Sequence, residues 1–252
     1  NFCTKNAPFN DVRVRQAFIT ILNKQEMVDL IAGGYGKPVQ SYFAPTHSKY
    51  WIELPSRGPD VEKAKKMLAE AGYPDGGFDL KLTYASENDV EAAFAPLIKD
   101  SFAELGVNVT IEPMLWSQQW ELAKSDPANA QDMFLLLYWP TYSDAGSDNL
   151  WSMFYGTEES PHLNVTAFNM SYWMNADFNA LVDEAGATTV TDPATAQAKY
   201  IEAMNLLVEE APGVFFMDVK SAFVVPTYIE GFKYNINYPF TPYFFYQLST
   251  TK

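Results

Sequence analysis

The stretch FDLKLTYASENDVEAAFAPLIKDSFAELGVNVTIEP, residues 78–113, decides the fold. Phe78 to Tyr84 alternates apolar and polar side chains, the period of a half-buried strand. Ser86 then predicts a helix N-cap, and the helix runs to Leu105 and stops at Gly106, with Pro96 placed to kink it. Alternation resumes from Val107 to Pro113. Strand, helix and strand over this length make a βαβ unit, which favours a parallel pair joined by a right-handed crossover.

On the N-terminal side, Asp11 predicts a helix N-cap. Val14, Phe18, Ile21, Leu22, Val28 and Ile31 then recur at helical spacing, so one helix is expected up to the stop at Gly33-Gly34. A loop follows from Tyr35 to Pro59, Asp60 caps a helix from Val61 to Ala71, and Tyr73 to Gly77 is a turn. On the C-terminal side, a short helix is expected near Ser117 to Ser125. Met133 to Tyr138 is continuously apolar, as in a buried central strand. Asn175 to Thr188 reads as a helix, and Asp192 caps another, with Pro193 at its first position, running to Glu210. Val214 to Val219 and Ala222 to Val225 read as short strands, and Tyr228 to Leu248 is aromatic-rich and weakly periodic. The expected class is α/β, a sheet flanked by helices.

Bulk properties narrow the function. A chain of 252 residues buries about 70–75% of its unfolded surface and needs no metal or disulfide to fold. Net charge is −14, the wrong sign for displacing counterions from nucleic acid or for docking on anionic lipid. Cys3 is the single cysteine, so neither an intramolecular disulfide nor a cysteine-rich zinc motif can form. The longest apolar run, Met133 to Trp139, is too short to span a bilayer. The chain opens at Asn1 with no initiator methionine and no signal peptide, so it is read as a trimmed piece whose missing targeting signals carry no weight. With 15 Tyr, 18 Phe and 6 Trp, it has rings for a bulky core and several more for a ligand cleft.

Few motifs carry chemistry. Gly33-Gly34-Tyr35-Gly36-Lys37 follows a helix and lacks phosphate-loop spacing, so it reads as a helix stop. His47 and His162 lie far apart in loops with no paired-ligand spacing, so no metal site is expected. Carboxylates are plentiful, but no local pattern marks a hydrolytic pair. The informative segment is Tyr138 to Leu150, directly after the apolar strand. In open α/β sheets ligands bind beyond the carboxyl ends of the strands. There Trp139 suits an aromatic sandwich, and an Asp suits a cationic group on the ligand. An equally open reading makes Trp139 a plug on the sheet edge and Asp148 a helix cap. Trp116, just after the preceding strand, reaches the same end if the strands are parallel.

Several segments, in order, resemble the family 5 extracellular solute-binding proteins, the group that includes oligopeptide-, dipeptide- and nickel-binding proteins. Ala7 to Ala17 (APFNDVRVRQA) is similar to the family's PFxDxRVRQA signature, and Glu62 to Tyr73 (EKAKKMLAEAGY) to its KAKxLLAEAGY segment. The Trp139 loop, Asn175 to Leu181, and Glu209 to Pro212 resemble further family segments. The resemblance implies a periplasmic-binding-protein-like lobe with a mixed sheet flanked by helices, of the class II or cluster C type, with the first lobe missing. It implies that residues 1–221 form the second lobe and that residues 222–252 return to the first. The implied function is capture of a small polar ligand between two lobes and delivery to the permease subunits of an ABC importer. A peptide is the first expectation, with oligosaccharide, opine or metal chelate as alternatives. Such a protein is a periplasmic or extracytoplasmic monomer with no catalytic residue, metal or cofactor of its own.

By position, the resemblance places Trp116 and Trp139 on the cleft. Tyr142 stands where some members carry an Asp that anchors the peptide amino group, and Asp144 is the nearest carboxylate. Tyr42 and Phe43 also face the cleft on this reading. Two rival functions remain at this stage: a glycoside hydrolase-like enzyme acting on oligosaccharides, and a ligand-free interaction module.

Overall fold

Side-chain caps start most of the helices. Asp11 accepts the Arg13 N–H at 2.8 Å and begins α1 (Val12–Ile21). The single helix expected up to Gly33 is in fact two. Leu22 has extended backbone, and Asn23 accepts the Glu26 N–H at 3.3 Å to begin α2 (Lys24–Ala32), which ends at Gly33 with φ of 52°. A short strand, β1 (Gly36–Pro38), lies in the expected loop. Asp60 then caps α3 (Val61–Glu70) through the Lys63 N–H at 2.9 Å. The computed structural model describes residues 1–43, 50–137, 146–158, 168–220, 222–233 and 245–251, without the side chains of residues 147 and 148.

The central unit is β2 (Asp79–Ala85), α4 (Asp89–Ala103) and β3 (Asn108–Met114). The strands pair parallel, from Asp79 opposite Asn108 to Ala85 opposite Met114. The expected cap at Ser86 is corrected to Asn88, which accepts the Val90 and Glu91 N–H groups at 3.1 and 3.2 Å. Ser86 instead donates its N–H to Met114 O at 2.8 Å and so extends the sheet. After β3 come α5 (Trp116–Ala123) and β4 (Met133–Phe134). β4 pairs parallel to β2, which gives the order β3-β2-β4. The N-terminal segment borders β4 on its other side: Phe2 bridges Met133 antiparallel, and the Phe134 N–H donates to Asn1 O at 3.0 Å. This makes the sheet mixed and β4 internal to it. The apolar run is nonetheless regular strand only at Met133 and Phe134; residue 138 of that run lies outside the described residues.

The two faces of β2 meet different helices, as the two-residue strand period requires. Leu80 and Leu82, with Met133 beside them, bury against α1 and α4 in a core that includes Phe18, Phe94, Ile98 and Phe102. Phe18 meets Phe102 edge-on at 4.2 Å. A ring this buried contributes about 1.5–3 kcal/mol. On the other face Gln119 of α5 reaches Thr83 Oγ1 at 3.4 Å, and Trp120 packs on Phe134.

A second core forms farther along the chain. A π-helical turn (Gly146–Trp151) leads into α6 (Ser152–Phe154), followed by the hairpin of α7 (Ala176–Thr188) and α8 (Pro193–Glu210). Asp192 caps α8 as expected, and Asn175, expected as the first residue of its helix, is the cap of α7. Phe154, Trp173, Phe178, Tyr200 and Leu207 fill this core. The strand expected at 214–219 is shorter, β5 (Met217–Val219), and it pairs antiparallel with β1. Residues 222–225 form no strand. β6 (Ile229–Glu230) and β7 (Ser249–Thr250) pair antiparallel in the tail.

Two buried cations bolt the cores together. Arg15 of α1, 4% exposed, donates to Phe9 O (2.7 Å), Glu210 O (2.6 and 3.0 Å) and Ala211 O (3.2 Å). Its charge faces the carbonyl end of α8, the negative pole of that helix. Lys24, also 4% exposed, donates to Val39 O (2.6 Å), Gln40 Oε1 (2.6 Å) and Phe215 O (3.1 Å). Burial pushes this ammonium down to about 7, and Arg57 adds to the fall. Among the described residues no helix is long and apolar enough to cross a membrane.

Candidate functional site

Parallel pairing brings the C-terminal ends of β2, β3 and β4 to one edge of the sheet. Trp116, the first residue of α5, stands there with its side chain half exposed (52%). Leu115, at the N-cap position of α5, offers no side-chain cap. Glu87, from the turn after β2, supplies one instead, accepting the Trp116 N–H at 3.2 Å. An anion at a helix N-terminus is favourably placed. Hydrogen bonds from its own and the Trp116 backbone hold the Glu87 carboxyl below its ordinary range. The Trp116 ring leans on Trp120 at 5.4 Å, and Trp120 in turn meets Phe134 and Phe168 edge-on at 5.4 Å each. Trp116 is therefore a presented ring with a rigid aromatic footing.

Glu91 lies behind this edge, only 3% exposed. Its Oε2 accepts the Ala85 N–H at 2.9 Å, and its Oε1 accepts the Leu137 N–H at 2.7 Å and Asn88 Nδ2 at 3.1 Å. Burial raises the Glu91 carboxyl above its ordinary value, against the lowering effect of the Leu137 and Ala85 donors; the Glu87 charge adds to the rise. The residue-pattern reading above missed Glu91. The signal available was Asn88-x-x-Glu91, the spacing of an N-cap and its third helical residue.

Tyr42 and Phe43 sit elsewhere. Phe43 is buried in the second core, and the Tyr42 ring packs edge-on against Phe43, Phe154 and Phe215, with its hydroxyl donating to Asn149 Oδ1 at 3.2 Å. Both line a half-open pocket of about 230 Å³ between the cores, whose wall also includes Phe94, Leu137 and Phe216. That wall is largely apolar, and the Glu91 carboxylate on it is committed to backbone N–H groups. A polar ligand is better served at the open strand edge. Trp116 does not line this cavity. Trp139, Tyr142 and Asp144 lie outside the described residues, as do His47 and His162.

The sheet is mixed and has helices on both faces, the kind of open α/β sheet in which ligands bind beyond the carboxyl ends of the strands. The chain belongs to the bacterial extracellular solute-binding proteins, family 5, whose middle-segment model matches residues 1–161. Heme-binding protein A of Haemophilus influenzae is 29% identical over 217 residues, covering 84% of this chain and 37% of that protein. The structure of HbpA2 from Haemophilus parasuis superposes with a TM-score of 0.78 at 23% identity, covering 100% of this chain and 47% of that one. The ABC transporter-associated periplasmic binding protein DppA from Helicobacter pylori, in complex with peptide STSA, gives 0.77 at 21% identity, covering 100% and 46%. The chain thus spans less than half the length of these relatives, and the two solved structures establish its fold.

Proposed function

We propose that this chain is a lobe of the substrate-binding component of an ABC importer, with no catalysis of its own. Residues 1–221 form the second lobe, and residues 222–252 return to the first. The protein works outside the cytoplasm as a monomer, closes on a small polar ligand and presents it to the permease subunits. Lobe closure is a hinge-type switch driven by the ligand's preference for the closed state. A peptide is the favoured ligand, supported by the H. pylori relative bound to peptide STSA.

The observation that carries the reading is the presentation of Trp116 at the edge where the three parallel strands end. Trp116 and Trp139 stack on the ligand, Asp144 holds a positive group on it, and Tyr142 lies between them in sequence. The wall position of Tyr42 and Phe43 supports an indirect part for them. Exposed tail residues Val224 and Tyr246 support a covering partner for residues 222–252, as a returning segment would have.

The test is a thermal-shift screen of the full-length protein against peptides, oligosaccharides, opines and metal chelates. A ligand that prefers the folded state raises the melting temperature, so one responding class names the ligand. Trp116→Ala and Asp144→Asn should then each weaken that ligand about fivefold or more, since ring stacking and a hydrogen bond to a charged group each contribute about 1–3 kcal/mol. Hydrolysis of a sugar or peptide by the full-length protein, or unchanged affinity in both variants, would overturn the reading.

A further inference from the structure

We propose that Glu91 is a positioning residue for the ligand-facing edge of the sheet: its carboxylate locks the C-terminal end of β2 and the segment just past β4 to the start of α4. This rests on the reading that the ligand binds beyond those strand ends. In the β2–β4 ladder the Leu135 N–H donates to Thr83 O at 3.0 Å. Two residues further on, the parallel pattern would send the Leu137 N–H to Ala85 O. That oxygen is taken by the Asn88 N–H at 2.9 Å, and the Leu137 N–H turns to Glu91 Oε1 instead. The carboxylate therefore stands in for the missing rung, and its second oxygen holds Ala85 of β2.

Helix capping does not account for this arrangement. In a capping box the third-position acid returns to the N–H of the cap residue. Here the Asn88 N–H is used by Ala85 O, and Asn88 itself caps α4 with its side-chain oxygen. Glu91 Oε2 is spent on Ala85, the last residue of β2, and Oε1 on Leu137, three residues past β4, as well as on Asn88 Nδ2, in a site 3% exposed. Glu87, at the same turn, holds the start of α5 and so ties the end of β3 to the same cluster. Three strand ends are fixed by two carboxylates four residues apart.

Glu91→Gln separates the two roles. Gln serves a capping box as well as Glu does, so capping alone predicts no effect. In the lock, an amide can give its oxygen to one strand only, and its NH2 then faces the N–H of the other. In ligand-free full-length protein, amide hydrogen exchange at Ala85 or Leu137 should quicken about tenfold or more, while Ile98 and Phe102 within α4 stay unchanged. Glu91→Asp, which keeps the charge but falls one methylene short of spanning both strands, should show the same local pattern. Affinity for the probe peptide Ser-Thr-Ser-Ala should fall about fivefold or more. Unchanged exchange at both amides, exchange that quickens throughout α4 and the sheet, or full affinity despite a loosened lock would each overturn the proposal. A wild-type protein that ignores the probe would count against the peptide reading, and the exchange data would still decide the lock.

Discussion

Arg15 offers a sharp test of how the two cores are joined. Its guanidinium makes four hydrogen bonds to three carbonyls, from Phe9, Glu210 and Ala211, and lies 3.5 Å from the Glu210 carboxylate. Arg15→Lys keeps the positive charge and removes the fork. One ammonium cannot reach Phe9 O and the end of α8 together, so two or three of the four bonds are lost. At about 1.5 kcal/mol for each bond to a charged group, the cost is about 3–4.5 kcal/mol, within the range for breaking a buried ionic arrangement. For a chain of this size that lowers the melting temperature by roughly 6–18 °C. Urea unfolding followed by far-UV circular dichroism measures it, with the slope of the transition checked for constancy. Arg15→Met, which leaves all three carbonyls without their donor, should cost at least as much. A loss under about 1 kcal/mol in Arg15→Lys would show that charge alone, without the fork, holds α8 against α1.

Lys24 gives a pH signature. Its folded-state pKa of about 7 lies below the ordinary 10.5, so between those values the unfolded chain binds the extra proton. Stability should therefore rise with pH across that window, and Lys24→Met should flatten the rise; equal slopes in urea titrations of the two proteins would refute the assignment. Asn175→Ala removes the cap that accepts the Phe178 N–H at 3.0 Å and should cost about 1 kcal/mol in the same assay. Gly106 has φ of 74°, and a Cβ there would stand 2.3 Å from Asp75 O. Gly106→Ala should lower stability by at least about 2 kcal/mol and leave ligand affinity intact, since it acts at the far end of β3 from Trp116.

Much of the fold was legible because local chemistry and tertiary structure agree. Asp11, Asp60 and Asp192 cap helices where their sequence positions say they should. The alternation of residues 78–84 and 107–113 gave the parallel pair to within a residue. The errors share a cause, which is that periodicity reports burial and not hydrogen bonding. Val14 to Ile31 keeps one apolar stripe through the break at Leu22, so the pattern reads as one helix; the Asn23-x-x-Glu26 spacing was the overlooked sign. Ser86 and Asn88 are both good caps two residues apart, and only the Ser86 bond to Met114 O, a contact across the sheet, decides between them. Pairing of β1 with β5 joins residues far apart in sequence and leaves no local trace. The place of Trp116 at the strand ends was legible from its position just after a strand. Glu91 was not, because its partners Ala85 and Leu137 meet only once the sheet has formed.

The sheet therefore has two differently built ends. At the N-terminal ends of β2 and β3, Gly76 and Gly106 pass with backbone against backbone, and the Gly77 N–H donates to Gly106 O at 2.9 Å. No side chain fits at those two glycines, but beside them Asn108 donates to Asp79 Oδ1 at 2.8 Å and the Lys81 N–H donates to the Asp132 carboxylate at 2.8 Å. At the C-terminal ends the backbone groups are met by side chains: Glu91 for Ala85 and Leu137, and Glu87 for Trp116. A carboxylate that accepts from a strand end costs desolvation that a further rung of backbone pairing would not, as the raised Glu91 carboxyl shows. At Leu137 the ladder ends on this buried acid in place of a further backbone rung.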